Sequence, residues 1–174
     1  MPYEQLLKKA LSLISRRRYT VLKIKKKLVL YYDKKLADEQ RSKASNEEEA
    51  ESQKGKYIKQ VLTRLKELKY LDDTQFAKDF IESRNEFRPK GKFMLKRELK
   101  NKGLHPDLAE RVVENTEIDE EANAIKALKK KIRQLEKESP RKQKEKAMRF
   151  LASRGFNIQA IYKAIAFWYN KSES

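Results

Sequence analysis

Apolar residues recur along this chain at helical spacing, and no stretch alternates apolar and polar in the manner of a strand. Leu6, Leu7, Ala10, Leu11 and Ile14 predict a helix over residues 3–15. Thr20 is placed to cap a second helix, with Ile24, Leu28 and Tyr31 on its inner face. The pattern stops over residues 36–56 and resumes with Ile58, Val61, Leu62, Leu65 and Leu68. Asp72, Asp73 and Thr74 can cap a helix whose inner residues are Phe76, Ala77, Phe80 and Ile81. Arg88-Pro89-Lys90-Gly91 reads as a loop. A helix over 92–102 then buries Leu95 and Leu99 and stops at Gly103. Pro106 suits the first turn of a short helix with Leu108, Val112 and Val113 inside. A long helix is expected from about Asp119 to Glu138, striped by Ala124, Leu128, Ile132 and Leu135. Ser139 and Pro140 open the next one, which carries Ala147, Phe150 and Leu151 and ends at Gly155. In the last, Ile161, Ile165 and Trp168 share a face, and from Ile158 to Tyr169 only Lys163 is charged. A helix so apolar is either wedged between neighbours or offered to a partner.

Leu99 and Gly103 stand four apart, as do Leu151 and Gly155, and each glycine is followed by one apolar residue and another amphipathic stretch. Such repetition of helix, stop and helix implies tandem modules. Three helices are the fewest that enclose a small core. The fold expected is therefore all-α, an elongated array of three tandem three-helix modules over residues 1–70, 71–117 and 118–174. Residues 36–56, rich in Ser, Glu, Gln and Lys, form a charged insertion in the first module. They read as a linker or a solvated helical extension, with Ser45 and Glu48 as a capping box.

Charge changes the picture. Charged residues make up 40% of the 174, and the net charge is +17. Residues 1–35 hold eleven Lys/Arg against two acids, residues 126–154 twelve against three, and residues 105–125 one against seven. A basic field of this size draws polyanions, and contiguous Lys/Arg runs favour a patterned surface over simple solubility. The chain lacks cysteine, which suits a reducing cytoplasm. It also lacks an apolar run of membrane-spanning length and a signal peptide's apolar stretch, so no membrane is expected as a partner.

Little in the sequence supports catalysis. Asp72-Asp73 reads as a helix cap, and His105, the one histidine, as a turn residue before Pro106. Without cysteine or a second histidine a zinc site is implausible, and the serines and threonines lack a base. Four glycines cannot build a phosphate-cradling loop. The expectation is no enzyme, no cofactor, no metal and no small-molecule substrate. The positive signal is basic. Arg16, Arg17, Arg18, Lys25 and Lys26 form one cluster of contact candidates; Lys92, Lys96, Arg97, Lys100 and Lys102 a second; Lys130, Arg141, Lys142, Arg149 and Arg154 a third. Such residues neutralise phosphates and bind in a salt-sensitive, sequence-tolerant way. Phe76, Phe80 and Phe150 sit at inner positions and read as core rather than stacking platforms.

The motifs together resemble the RecX family. Tyr70-Leu71-Asp72-Asp73, Phe76-Ala77, Phe80, Arg84, Gly91, Leu95, Glu98-Leu99 and Lys102-Gly103 carry the second module's likeness. Phe150-Leu151 and Arg154-Gly155-Phe156 carry the third's, and Arg18-Tyr19-Thr20 with Lys27-Leu28 the first's. The chain departs from the family in Lys23, where a glutamate is usual, and in the 36–56 insertion. The resemblance implies a non-enzymatic modulator of RecA recombinase. It would lie along the groove of the RecA filament on single-stranded DNA and limit filament growth, strand exchange and ATP turnover. Duplex DNA is a second possible form of the partner. Two other readings fit the residues: a helix-turn-helix regulator acting alone on duplex DNA, and an adaptor that docks a protein through its last helix. Reversing Lys96, Arg97 and Lys100 together is expected to weaken filament inhibition without unfolding the chain.

Overall fold

The computed structural model describes residues 1–35 and 46–171, and among these all regular structure is helical. The described helices are α1 Pro2–Ile14, α2 Val21–Lys35, α3 Glu47–Glu67, α4 Asp73–Phe87, α5 Lys92–Asn101, α6 Pro106–Asn115, α7 Glu120–Ile132, α8 Pro140–Ser153 and α9 Ile158–Lys171. They belong to two compact units, Met1–Phe76 with Lys102–Leu104, and Ala77–Asn101 with His105–Ser174. No helix among the described residues is long and apolar enough to cross a membrane.

The core of the first unit gathers Leu6 and Ala10 of α1, Ile24, Leu28 and Tyr32 of α2, Ile58, Val61 and Leu65 of α3, and Leu71. The heptad-like stripes of the three helices meet there. Tyr32 rather than Tyr31 completes the α2 stripe, because Ile24, Leu28 and Tyr32 follow at intervals of four. Thr20 caps α2 as expected: its Oγ1 accepts from the Lys23 amide at 3.3 Å. The same hydroxyl donates to the Lys102 carbonyl at 2.8 Å, so this buried polar group is satisfied twice.

The aspartate pair divides its work. Asp72 caps its own helix, accepting from the Gln75 amide at 2.9 Å. Asp73 instead accepts from the Val21 amide at 2.9 Å, an orphan donor in the first turn of α2. Burial raises the Asp73 carboxyl above its ordinary value, against the pull of that hydrogen bond.

Of the insertion, residues 36–45 lie outside the described residues, and Ser45 with them. Residues 47–56 are the first turns of α3, and the cap is Asn46, whose side chain accepts from the Glu49 amide at 2.8 Å. Glu47, Glu48 and Glu49 fill the first turn, where the helix dipole favours anions.

In the second unit Ala77 and Ile81 of α4, Leu95 and Leu99 of α5, and Ala109, Val112 and Val113 of α6 are buried. Ala124, Ala127, Leu128, Leu135, Ala147, Leu151, Phe156, Ala160, Ile161, Ala164 and Ile165 form a continuous cluster. The long helix expected to reach Glu138 ends instead at Ile132. Tight turns follow, with Leu135 N–H bonded to the Ile132 carbonyl at 2.7 Å and Glu138 N–H to that of Leu135 at 2.9 Å. They fold Leu135 back into the cluster, which a continued helix would not do. The α9 helix answers both expectations for its apolar surface. Ala160, Ile161, Ala164 and Ile165 are packed inside, while Ile158, Tyr162 and Phe167 stay largely exposed.

A glycine pair ties this unit together. Gly91 N–H donates to the Arg154 carbonyl at 3.0 Å. A Cβ on Gly91 would stand 2.0 Å from the Gly155 carbonyl oxygen, so the two backbones touch with no side chain between. Gly103 and Gly155 have φ of 96° and 75°, the left-handed conformation that ends their helices.

Candidate nucleic-acid interface

The structure sorts the basic candidates by what their charged ends already hold. In the first unit Arg16, Arg17 and Arg18 follow the end of α1 and are exposed. The Arg17 guanidinium donates from Nε to the Tyr19 hydroxyl at 2.7 Å and stacks over that ring at 4.7 Å. The hydrogen bond lowers the Tyr19 phenol from its ordinary value, against slight burial. Lys25 and Lys26 stand exposed on α2, away from its buried stripe. Lys102 is exposed, and its carbonyl receives the Thr20 hydroxyl.

In the second unit α5 presents two different basic faces. On one, the Lys96 ammonium sits 2.5 Å from Glu110 and 2.6 Å from Glu114, and Lys92 lies 3.1 Å from Glu114. Glu110 and Glu114 therefore hold Lys96 protonated beyond its usual range. These two cations fasten α5 to α6. On the other face Arg97 and Lys100 are exposed and make no hydrogen bond or ion pair with any described residue. Reversing Lys96 would set a carboxylate against two others, so Arg97 and Lys100 alone are the informative reversal.

The third basic cluster is similarly divided. Lys130 donates to the Phe87 carbonyl at 2.9 Å, and Lys126 to that of Asn85 at 3.0 Å. Both cations thus close the C-terminus of α4, where the dipole favours them. Arg154 is half-buried, stacked at 4.6 Å over Phe150, and donates to the Pro89 carbonyl at 3.2 Å. Burial, then the neighbouring Arg88, lowers its guanidinium from the ordinary value. Arg141, Lys142 and Arg149 are exposed on α8; Arg141 lies 3.4 Å from Glu145, and Arg149 donates to the Glu145 carbonyl at 3.4 Å.

Phe80 and Phe150, expected as core, are half-buried rings used as shelves for arginine. Arg84 stacks on Phe80 at 4.6 Å, as Arg154 does on Phe150, each arginine four residues after its ring. Arg84 continues to Glu98 at 2.8 Å, and Lys90 closes on the other oxygen of the same carboxylate. Burial pushes the Glu98 carboxyl up, but Lys90 and Arg84 together outweigh it and hold it below its ordinary value. A depressed carboxyl contributes stability above its unfolded pKa and loses it as pH falls through the folded value. Glu98→Gln should therefore lower the urea midpoint at neutral pH and flatten the loss of stability below about pH 4.5. Parallel acid profiles for the two proteins would contradict this.

One exposed residue escaped the sequence reading. Phe93 on α5 is 68% exposed. Its signal was in the spacing: with Leu95 and Leu99 inside, positions 93, 97 and 100 fall on the opposite face.

The chain was compared with known families and structures. Residues 72–113 match the family model for RecX, second three-helix domain, and residues 119–165 that for RecX, third three-helix domain. A regulatory protein RecX from Prosthecochloris aestuarii is 37% identical over 108 residues, 62% of this chain and 70% of that one. Another, from Cronobacter sakazakii, is 30% identical over 165 residues, covering 92% of each chain. The crystal structure of RecX from Lactobacillus salivarius superposes with a TM-score of 0.69 over 94% of both chains at 20% identity, which shows the same fold.

Proposed function

We propose a function from one premise: the chain belongs to the RecX family of regulatory proteins. It acts on a RecA recombinase in the cytoplasm, without catalysis of its own. It lies along the groove of the filament that RecA forms on single-stranded DNA and limits growth, strand exchange and ATP turnover. The family likeness supports the recombinase as partner. The observation that carries the contact is the outer face of α5, where Arg97 and Lys100 are left unneutralised although acids engage Lys92 and Lys96 on the same helix. Exposed cations on α2 and α8 extend the same chemistry. Several weak contacts made by one chain act together, because each raises the effective concentration for the next.

The test adds the purified chain to recombinase filaments on single-stranded DNA and follows ATP hydrolysis across a salt series. Hydrolysis should fall at substoichiometric protein. The double variant Arg97→Glu/Lys100→Glu should need more protein for the same effect. Its log affinity should depend on log salt with a slope lower by about two, one for each lost phosphate contact. Undiminished inhibition by this variant would remove α5 from the interface. Unchanged hydrolysis with the native chain, alongside tight sequence-selective binding to duplex DNA, would favour the stand-alone regulator instead.

A further inference from the structure

We infer that Phe93, with Arg97 and Lys100, forms a stacking site for the bases of single-stranded nucleic acid. This rests on the reading that α5 meets single-stranded DNA, and adds that the bases as well as the phosphates are held. The three residues follow at intervals of four and three, so they form one stripe on the helix. Phe93 is 68% exposed and contributes to neither of the two continuous core clusters. The only acid on α5, Glu98, is closed by Arg84 and Lys90 and cannot neutralise the stripe. An open ring beside two unneutralised cations matches the two parts of a single strand: a π-face on every base and a charge on every phosphate. An acidic protein surface would engage the cations but leave the ring in water. A duplex hides the faces of its bases. The partner whose chemistry uses all three side chains is therefore an unpaired strand.

The experiment measures anisotropy of a labelled oligothymidylate, and of an abasic strand with the same number of phosphates, on adding the full chain. Phe93→Ala should weaken binding to oligothymidylate by roughly tenfold and leave binding to the abasic strand unchanged. Phe93→Trp should keep or improve the first. Arg97→Ala should weaken both strands alike. Equal loss on the two strands with Phe93→Ala, no loss on either, or no strand binding by the native chain would overturn the site. Recombinase ATP hydrolysis, followed with the same proteins, separates the two ideas. Inhibition that survives Phe93→Ala with no change in strand binding ends the stacking site alone. Base-dependent binding without any effect on hydrolysis supports the stacking site and ends the regulatory reading alone.

Discussion

Gly91→Ala should be the most damaging small substitution in the chain. The added methyl would meet the Gly155 carbonyl oxygen at 2.0 Å, its carbon at 2.3 Å and the Phe156 Cα at 2.5 Å. All three are backbone atoms, so no rotamer change relieves the overlap. The loop before α5 must withdraw instead, and the 3.0 Å bond from Gly91 N–H to the Arg154 carbonyl goes with it. Overpacking with a broken buried hydrogen bond should cost about 3 kcal/mol or more, against a total stability of about 5–15 kcal/mol. The reciprocal change, Gly155→Ala, meets Met94 Cβ and N at 2.7 Å and must also hold φ at 75°. A urea midpoint for Gly91→Ala equal to that of the native chain would show that the two backbones do not touch.

Leu151→Ala should cost nearly as much for the opposite reason. Leu151 is fully buried in the cluster that holds Ala124, Ala127, Ala147, Ala160 and Ala164. Alanines let α7, α8 and α9 approach closely, but they have no atoms to reach into a hole. The cavity therefore stays open, and the loss should be near the upper part of the 2–5 kcal/mol that leucine-to-alanine changes span, roughly 4 kcal/mol. The native slope of free energy against urea should be kept, since the folded and unfolded states expose about the same surface as before. A cost below about 1 kcal/mol would mean that the cluster collapses around the gap. Phe93→Ala is the contrasting case, expected within about 0.5 kcal/mol of the native chain because its ring lies in water.

Comparing Gly91 with Gly155 shows how far the sequence could be read. Gly155 follows an amphipathic run and ends it, a local role that spacing alone exposes, and its φ of 75° agrees. Gly91 was legible only as part of a loop. What it needs is room against a backbone far along the chain, and no local pattern encodes that. Core positions were similarly readable where three helices each supply a stripe, as with Leu6, Ile24 and Leu65. The end of α7 was not, because Ile132 and Leu135 continue the helical spacing while the turns that bring Leu135 inward depend on the surrounding cluster.

The candidate site divides along the same line. Helical spacing placed Lys92, Lys96, Arg97 and Lys100 on α5 but could not tell their fates apart, since the acids that claim two of them come from α6. A sequence hint existed in the acidic segment 105–125. Its carboxylates act as internal ties: Glu110 and Glu114 to α5, Glu120 to the Lys92 amide, Glu121 to Lys163. Asp73 teaches the same lesson, since a residue that looks like a cap for its own helix caps α2 instead.

The lysines at the end of α4 bear on how the formal charge should be counted. Lys126 and Lys130 rest on the Asn85 and Phe87 carbonyls, where a helix end already supplies partial negative charge. A cation anchored there draws little condensed sodium or potassium away from a polyanion. The ionic valence this molecule brings to a strand is thus smaller than the tally of its lysines and arginines, and the number of ions liberated on binding counts the side chains that are still unclaimed.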